Sequence, residues 1–322
     1  MPLFEGAEGQ ELGSFASRLE TRELAQGDVL MAQGEESRFF AIVVDGDLRV
    51  SRRSPDGGSQ EITVGAPSVI GELAMLTGQP RTATVTTITP AKVLTGGAGE
   101  FQLLLELPGL QNRLQRVVSG RLAEHAVSVS AELPDGTPVL LHPLRASDRE
   151  DFIAAYENLS LKSLENRFFS GGQPPRSLIE YLLRLDYVNH FAWVVVDPAA
   201  PEGGLAEARY VRLGASPDTA DIALTVTDAY QGRGIGSLLM GALGAAAGAA
   251  GIERFSADVR GENGAMLGLL KKAEAVMGPY EQGVVNGIVS ADRAAMMVPD
   301  GLRLQLQRVA SDLVTAAGLG MI

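Results

Sequence analysis

The chain has 322 residues, is 45% hydrophobic and 20% charged, and carries a formal net charge of −12 at pH 7. That length suits two domains, each able to bury its own core. The acidity argues against a nucleic-acid partner, which needs a basic surface. With no cysteine there is no disulfide, thiolate metal site or thiol nucleophile, which fits a reducing cytoplasm. His125, His142 and His190 are widely spaced, so no metal site is expected. Residues 1–6 have no basic or apolar leader character.

Residues 24–95 show short apolar runs punctuated by glycine, which predicts a β-roll or jelly roll. The run 39–44 is followed by Asp45-Gly46-Asp47, a hairpin signal. Within this half, Gly71, Glu72, Leu73 and Ala74 open a short apolar turn that Arg81 and Thr82 close. Glu72 can accept from a ribose hydroxyl. Arg81 can fork onto a cyclic phosphate, aided by the backbone amides of residues 71–74. From Glu100 to His125 the spacing turns helical through Phe101, Leu104, Leu105, Leu110, Leu114, Val117, Val118 and Leu122, with a break at Pro108-Gly109.

Residues 128–138 carry no strong periodicity and contain a Pro-Asp-Gly turn. The domains are therefore expected at 1–127, with a linker at 128–137, a second domain at 138–292 and a helical tail at 293–322. In the second domain strand and helix segments alternate, which predicts a mixed α/β sheet. Strands are expected at 139–144, 191–196, 208–213, 220–227, 255–259 and 283–289. Helices are expected at 148–158, 176–186, from Ile235, and at 264–275. Residues 234–251 are uncharged, but six of the eighteen are glycine. The expectation is a buried helix with a small-residue face, not a membrane span.

After the 220–227 strand comes a glycine cradle, Gln231, Gly232, Arg233, Gly234, Ile235 and Gly236, followed by Ser237. Strand, glycine turn and helix N-terminus together make an anion site, to which Arg233 adds a full charge. The spacing is Gly-x-Gly-x-Gly, not the Gly-x-Gly-x-x-Gly of a dinucleotide fold, and the Walker Gly-Lys-Ser/Thr is absent.

Residues 71–85 resemble the phosphate-binding cassette of cyclic-nucleotide-binding domains. The cradle, Tyr230 before it and Asn263 at the next strand-to-helix junction resemble GNAT-type N-acetyltransferases. In this order the two halves look like the cyclic-AMP-regulated protein lysine acetyltransferases of actinobacteria. The resemblance implies that acetyl-CoA and cyclic AMP are ligands, although cyclic GMP stays open. It implies that the backbone of Leu224, Thr225 and Val226 pairs with pantetheine, that Asn263 touches coenzyme A, and that Asp221 stands where the family carries a catalytic glutamate. Aspartate is one methylene shorter, so proton removal through water is expected. Ala273 occupies the position of the family's tyrosine acid. Glu207, Asp218 and Asp228 are rival carboxylates.

The acceptor implied is an accessible lysine of another protein. Rival functions are a small-amine acetyltransferase and a non-catalytic sensor. Arg121 is a candidate to stack on a bound purine, or simply a solvated helix arginine. Tyr156, Arg167, Phe168 and Phe169 are read as packing residues or acceptor-cleft walls, and Trp193 and His190 as structural.

Overall fold

The computed structural model describes residues 9–53, 59–78, 80–107, 116, 119–124, 126–200 and 206–318. The expectations for residues 1–6, for residues 108–115 and 117–118 of the predicted helix, and for His125 lie outside these. The chain divides into two compact units, residues 1–118 and 119–317.

The first unit holds eight strands among its described residues. They are β1 (Glu20–Leu24), β2 (Val29–Met31), β3 (Phe40–Asp45), β4 (Asp47–Arg53), β5 (Ser59–Gly65), β6 (Ser68–Ile70), β7 (Thr84–Thr87) and β8 (Ala91–Gly96). They form two four-stranded sheets, β1-β8-β3-β6 and β2-β7-β4-β5. Leu30, Met31, Ala41, Val43, Leu48, Val85 and Val93 fill the core. Helices α1 (Gly9–Ala16), α2 (Glu72–Thr77) and α3 (Ala98–Glu106) complete the unit.

The hairpin expected at Asp45-Gly46-Asp47 is a corner instead. β3 pairs with β6 and β8, whereas β4 pairs with β5 and β7 in the other sheet. Gly46 has φ +88°, and a Cβ there would stand 2.5 Å from the Pro90 carbonyl. The glycine serves a close backbone approach.

Among its described residues the second unit forms one eight-stranded sheet in the order β15-β16-β14-β13-β12-β11-β10-β9. Its strands are β9 (Val129–Glu132), β10 (Pro138–Pro143), β11 (His190–Val196), β12 (Ala206–Leu213), β13 (Ser216–Val226), β14 (Arg254–Arg260), β15 (Val276–Glu281) and β16 (Val284–Ser290). Its helices are α4 (Arg149–Glu157), α5 (Leu161–Phe168), α6 (Arg176–Leu182), α7 (Ile235–Ala247), α8 (Gly264–Lys272), α9 (Ala291–Ala295) and α10 (Asp300–Gly318).

Two sequence readings change here. The segment expected as a linker supplies β9 and a hairpin: β9 pairs antiparallel with β10, and Leu133 N–H donates to the Thr137 carbonyl at 2.9 Å. The expected tail is part of the core, with Leu306, Ala310 and Leu313 buried in it. Helix α5 and strand β15 were not foreseen, and Arg121 sits in helical residues 119–124 of this unit.

Helix α7 is buried along most of its length. Its glycines are contact points. A Cβ on Gly244 would stand 2.2 Å from the Ala295 nitrogen, and one on Gly241 2.5 Å from Val298 Cγ1. The uncharged run is thus a core helix whose small residues admit α9 at close range. Among the described residues no helix is long and apolar enough to cross a membrane.

Candidate functional sites

In the first unit, Gly71 links β6 to α2 at φ +79°. Arg81 Nη1 donates to the Gly71 carbonyl at 2.9 Å, and Nη2 donates to the Phe39 carbonyl. The guanidinium carbon lies 5.2 Å from the centre of the Phe39 ring. The Arg81 backbone is clamped as well: its N–H donates to Glu35 O, and its carbonyl accepts from Gly34 N–H, both at 2.8 Å. Glu72 and Arg81 are both buried, at 4% and 5% exposure. Burial pulls the Arg81 pKa below its usual value, opposed by the charges of Glu72 and Glu35. Glu72 and Arg81 are thus two buried charged side chains of one small β-roll, with Ala74 buried and Thr82 exposed beside them.

In the second unit the site follows from one break in pairing. β13 pairs with β12 continuously from Ala220 to Val226, with a register shift before Ser216. On its other edge it runs parallel to β14 only at Thr219, Ala220 and Asp221. Beyond Asp221 the two strands separate, and the β14-side edge of β13 is left without a ladder partner. The parallel pair needs a crossover, which α7 supplies.

Gly234, at φ +91°, starts α7, and no side chain caps it. Ser237 and Leu238 N–H bond back to the Gly234 carbonyl at 3.0 and 3.2 Å. The amides before them are the ones a helix N-terminus leaves for an anion. A cleft of about 490 Å³ opens here. Leu224, Thr225, Val226, Gln231, Gly232, Gly234, Ile235, Gly236, Ser237 and Asn263 all line it. Asn263 also caps α8, its Oδ1 accepting from Met266 N–H at 3.1 Å. Gln231 Nε2 donates to the Val226 carbonyl at 3.0 Å and to Ser163 Oγ at 3.1 Å, fastening the cradle to α5.

Two expected residues stand elsewhere. Arg233 does not line the cleft; its Nε donates to Asp135 Oδ2 at 2.7 Å, and its Nη2 to Thr137 Oγ1. Its charge is spent on the β9–β10 turn. Asp221 is exposed and outside the cleft walls, at the apex where pairing with β14 stops. Burial raises its pKa; a Ser256 hydrogen bond lowers it, and Asp258 adds to the rise. From Asp221 to Val226 the strand runs about 17 Å at 3.3 Å per residue.

The rival carboxylates have structural partners. Asp218 pairs with Arg254 at 2.6 Å. Asp228 accepts from Ser160 N–H at 2.7 Å and Ser163 Oγ at 2.6 Å, tying α5 down. Glu207 is the centre of a buried network that sequence reading missed. It accepts from Tyr156 Oη at 2.6 Å and Arg209 Nε at 2.9 Å, with Arg167 Nη2 at 3.6 Å. Arg167 Nε donates to Thr225 Oγ1 at 3.1 Å, so the network braces the cleft wall. Burial pushes the Glu207 pKa up, but Arg209 and Arg167 outweigh it and hold the carboxyl below its usual value. Tyr156 is pushed up to about 12 by burial and by the Glu207 charge. Tyr156 and Arg167 read in the sequence as packing residues or acceptor-cleft walls, with no sign that they share one carboxylate. Ala273 is buried at the end of α8 and is absent from the cleft walls.

A buried charged cassette in a β-roll, followed by a splayed sheet with a glycine cradle, defines a cyclic-nucleotide-binding domain joined to a GNAT acetyltransferase. Residues 21–106 match the cyclic nucleotide-binding domain family, and residues 159–274 match the acetyltransferase (GNAT) family. The chain is 35% identical over 285 residues to Acetyltransferase Pat of Mycolicibacterium smegmatis, covering 88% of this chain and 85% of that protein. The solved structure of a cAMP-binding acyltransferase from Mycobacterium smegmatis is similar too, at 32% identity and TM-score 0.52, covering 98% of this chain and 94% of that one. A stretch of 122 residues, 37% of this chain, is 28% identical to a CRP-like cAMP-activated global transcriptional regulator of Mycobacterium tuberculosis, covering 54% of that protein. The chain belongs to the Pat family of acetyltransferases and is an acyltransferase.

Proposed function

We propose that the protein transfers an acetyl group from acetyl-CoA to a lysine ε-amine of another protein, and that cyclic AMP in the first unit sets the rate. The observation that carries the catalytic half is the split between β13 and β14 beside the uncapped α7 N-terminus. An open strand edge suits the amide groups of a pantetheine arm, which can add to it as a further strand. The amides of residues 232–236 suit the pyrophosphate. The cleft volume lies in the range of small-molecule sites. The acetyl thioester supplies an activated carbonyl when bound.

The chain's own part is to orient the donor and to handle a proton. A lysine near pKa 10.4 is almost wholly protonated at neutral pH, and only its free base attacks. Asp221, at the apex of the split, takes that proton through water. Its raised pKa makes it a better base near neutrality than an ordinary aspartate.

For regulation, the buried Glu72 and Arg81 are the ribose and phosphate ligands. Binding there must favour one of two global states to alter the second unit. The test is acetyl transfer from labelled acetyl-CoA to lysine-bearing proteins, with and without saturating cyclic AMP, read by mass spectrometry of modified lysines. Labelling only of free small amines would reject the protein substrate, and equal rates with and without nucleotide would reject the regulation.

A further inference from the structure

The first-turn charge expected for the glycine cradle is missing. Arg233 is bound to Asp135 and does not face the cleft. The other arginines near the cleft are also engaged. Arg167 pairs with Glu207, and Arg260 stands 3.7 Å from Glu165 and 3.6 Å from Glu262. The whole chain carries −12. A polyanionic donor therefore meets a repulsive surface unless some local cation is left unpaired. Among the described residues lining the cleft, the lysines Lys162 and Lys272 have no carboxylate partner. They differ in one respect. Lys272, on the last turn of α8, donates from Nζ to Ser237 Oγ at 3.0 Å. Ser237 is in the first turn of α7, directly after the cradle. Its hydroxyl therefore holds an ammonium beside the amides that face the diphosphate. Lys162, exposed on α5, has no such tether.

We propose that Lys272, positioned by Ser237, reads the 3′-phosphate of coenzyme A and so restricts the acyl donor to free coenzyme A thioesters. The inference rests on the reading of this cleft as a coenzyme A site. The pantetheine arm leads away from the cradle along β13, toward Asp221. Lys272 lines the same cleft and is joined to the first turn of α7 through Ser237, so it is placed to meet a phosphate beyond the diphosphate. A phosphomonoester carries about −1.5 to −2 charges near neutral pH, and a lysine ammonium is a compact partner for it. A pantetheine thioester lacking that phosphate, such as one carried on a protein serine, gains nothing from Lys272.

Calorimetry on the full chain, with coenzyme A and 3′-dephospho-coenzyme A as the two probes, tests this. The wild type should bind coenzyme A about tenfold more tightly than the dephospho form, an ordinary gain for one charge-assisted contact. Lys272→Ala should abolish most of that preference while leaving the dephospho affinity within about twofold, and Lys272→Arg should keep it. Lys162→Ala removes the same charge from the same cleft and should weaken both ligands alike. A Lys272→Ala protein that keeps the wild-type preference, or that loses affinity equally for both probes, overturns the inference. A wild type that binds neither probe overturns the coenzyme A reading itself, and the inference with it.

Discussion

Gly71 and Arg81 share a space that only a glycine leaves open. Arg81 Nη1 donates to the Gly71 carbonyl at 2.9 Å, and a Cβ on Gly71 would stand 2.6 Å from that nitrogen. Any side chain at Gly71 must displace the guanidinium, and φ +79° disfavours one in any case. Two variants with different chemistry should then fail in the same way. Arg81→Ala should cost about 2–4 kcal/mol of cyclic nucleotide binding, the scale of losing one partner of a buried charged contact. Gly71→Ala should lose most of the same affinity with the arginine still present. Calorimetry with cyclic AMP and cyclic GMP measures both, and full affinity in either variant would remove Arg81 from the phosphate.

Glu207 remains ionised inside the second unit because two guanidiniums surround it. Glu207→Gln leaves Arg209 and Arg167 as excess buried charge. It should lower stability by about 3–5 kcal/mol in urea unfolding, the scale of a broken buried pair. A loss under about 1 kcal/mol would mean that water reaches the network.

His190 Nε2 accepts from Arg209 Nη1 at 2.9 Å, and its Nδ1 stands 3.1 Å from the Arg184 carbonyl. That geometry needs the neutral ring. Burial, then the Arg209 charge, lowers its pKa to about 4. The unfolded chain, with a histidine near 6.5, binds a proton in the window between these values that the folded chain does not. Stability should therefore fall as pH drops from about 6.5 to about 4, by about 2–4 kcal/mol from this residue. Above that window His190 adds no pH dependence. Unfolding curves of the wild type and His190→Gln over this range should diverge, and parallel curves would assign the acid sensitivity to other groups.

Asp221→Asn should slow acetyl transfer by about 10²-fold or more while leaving acetyl-CoA affinity unchanged. Asp221→Glu, with the longer carboxylate, should retain or raise activity. A fully active Asn variant would move the proton transfer to bulk water or to another group.

Two glycines of α7 should separate binding from folding. A Cβ on Gly236 would meet Leu269 Cδ2 at 3.5 Å, an ordinary contact, so Gly236→Ala should fold normally. It should still weaken acetyl-CoA binding, because it lines the cleft where a backbone must approach the ligand. Gly244→Ala instead places a methyl against the Ala295 backbone. It should cost about 1–3 kcal/mol of stability through overpacking. Thermal unfolding and ligand titration on both variants give the comparison.

The sequence by itself determined what is local. Glycine turns between short apolar runs marked the β-roll, and the run of Gly and Ala after residue 234 marked a buried helix. The cradle was legible because its glycines and its helix are contiguous, so spacing alone specifies a backbone that exposes amides. The break beyond Asp221 was not foreseeable from residues alone, since it is a difference between two strand pairings. The turn at Gly46 was visible as a turn, yet turn chemistry sets φ and not which strand the chain meets next.

Charge placement was decided by the tertiary structure. Arg233 reads as a ligand charge beside the cradle, but Asp135, 98 residues away, takes it. Tyr156 and Glu207 are 51 residues apart and Arg167 and Thr225 are 58 apart, and none of these pairings has a periodic signature. A charge acts over a few ångströms of space, and the sequence orders residues only along the chain. Which guanidinium is neutralised by a carboxylate, and which lysine is tethered to a hydroxyl instead, follows from the packing of the elements that carry them.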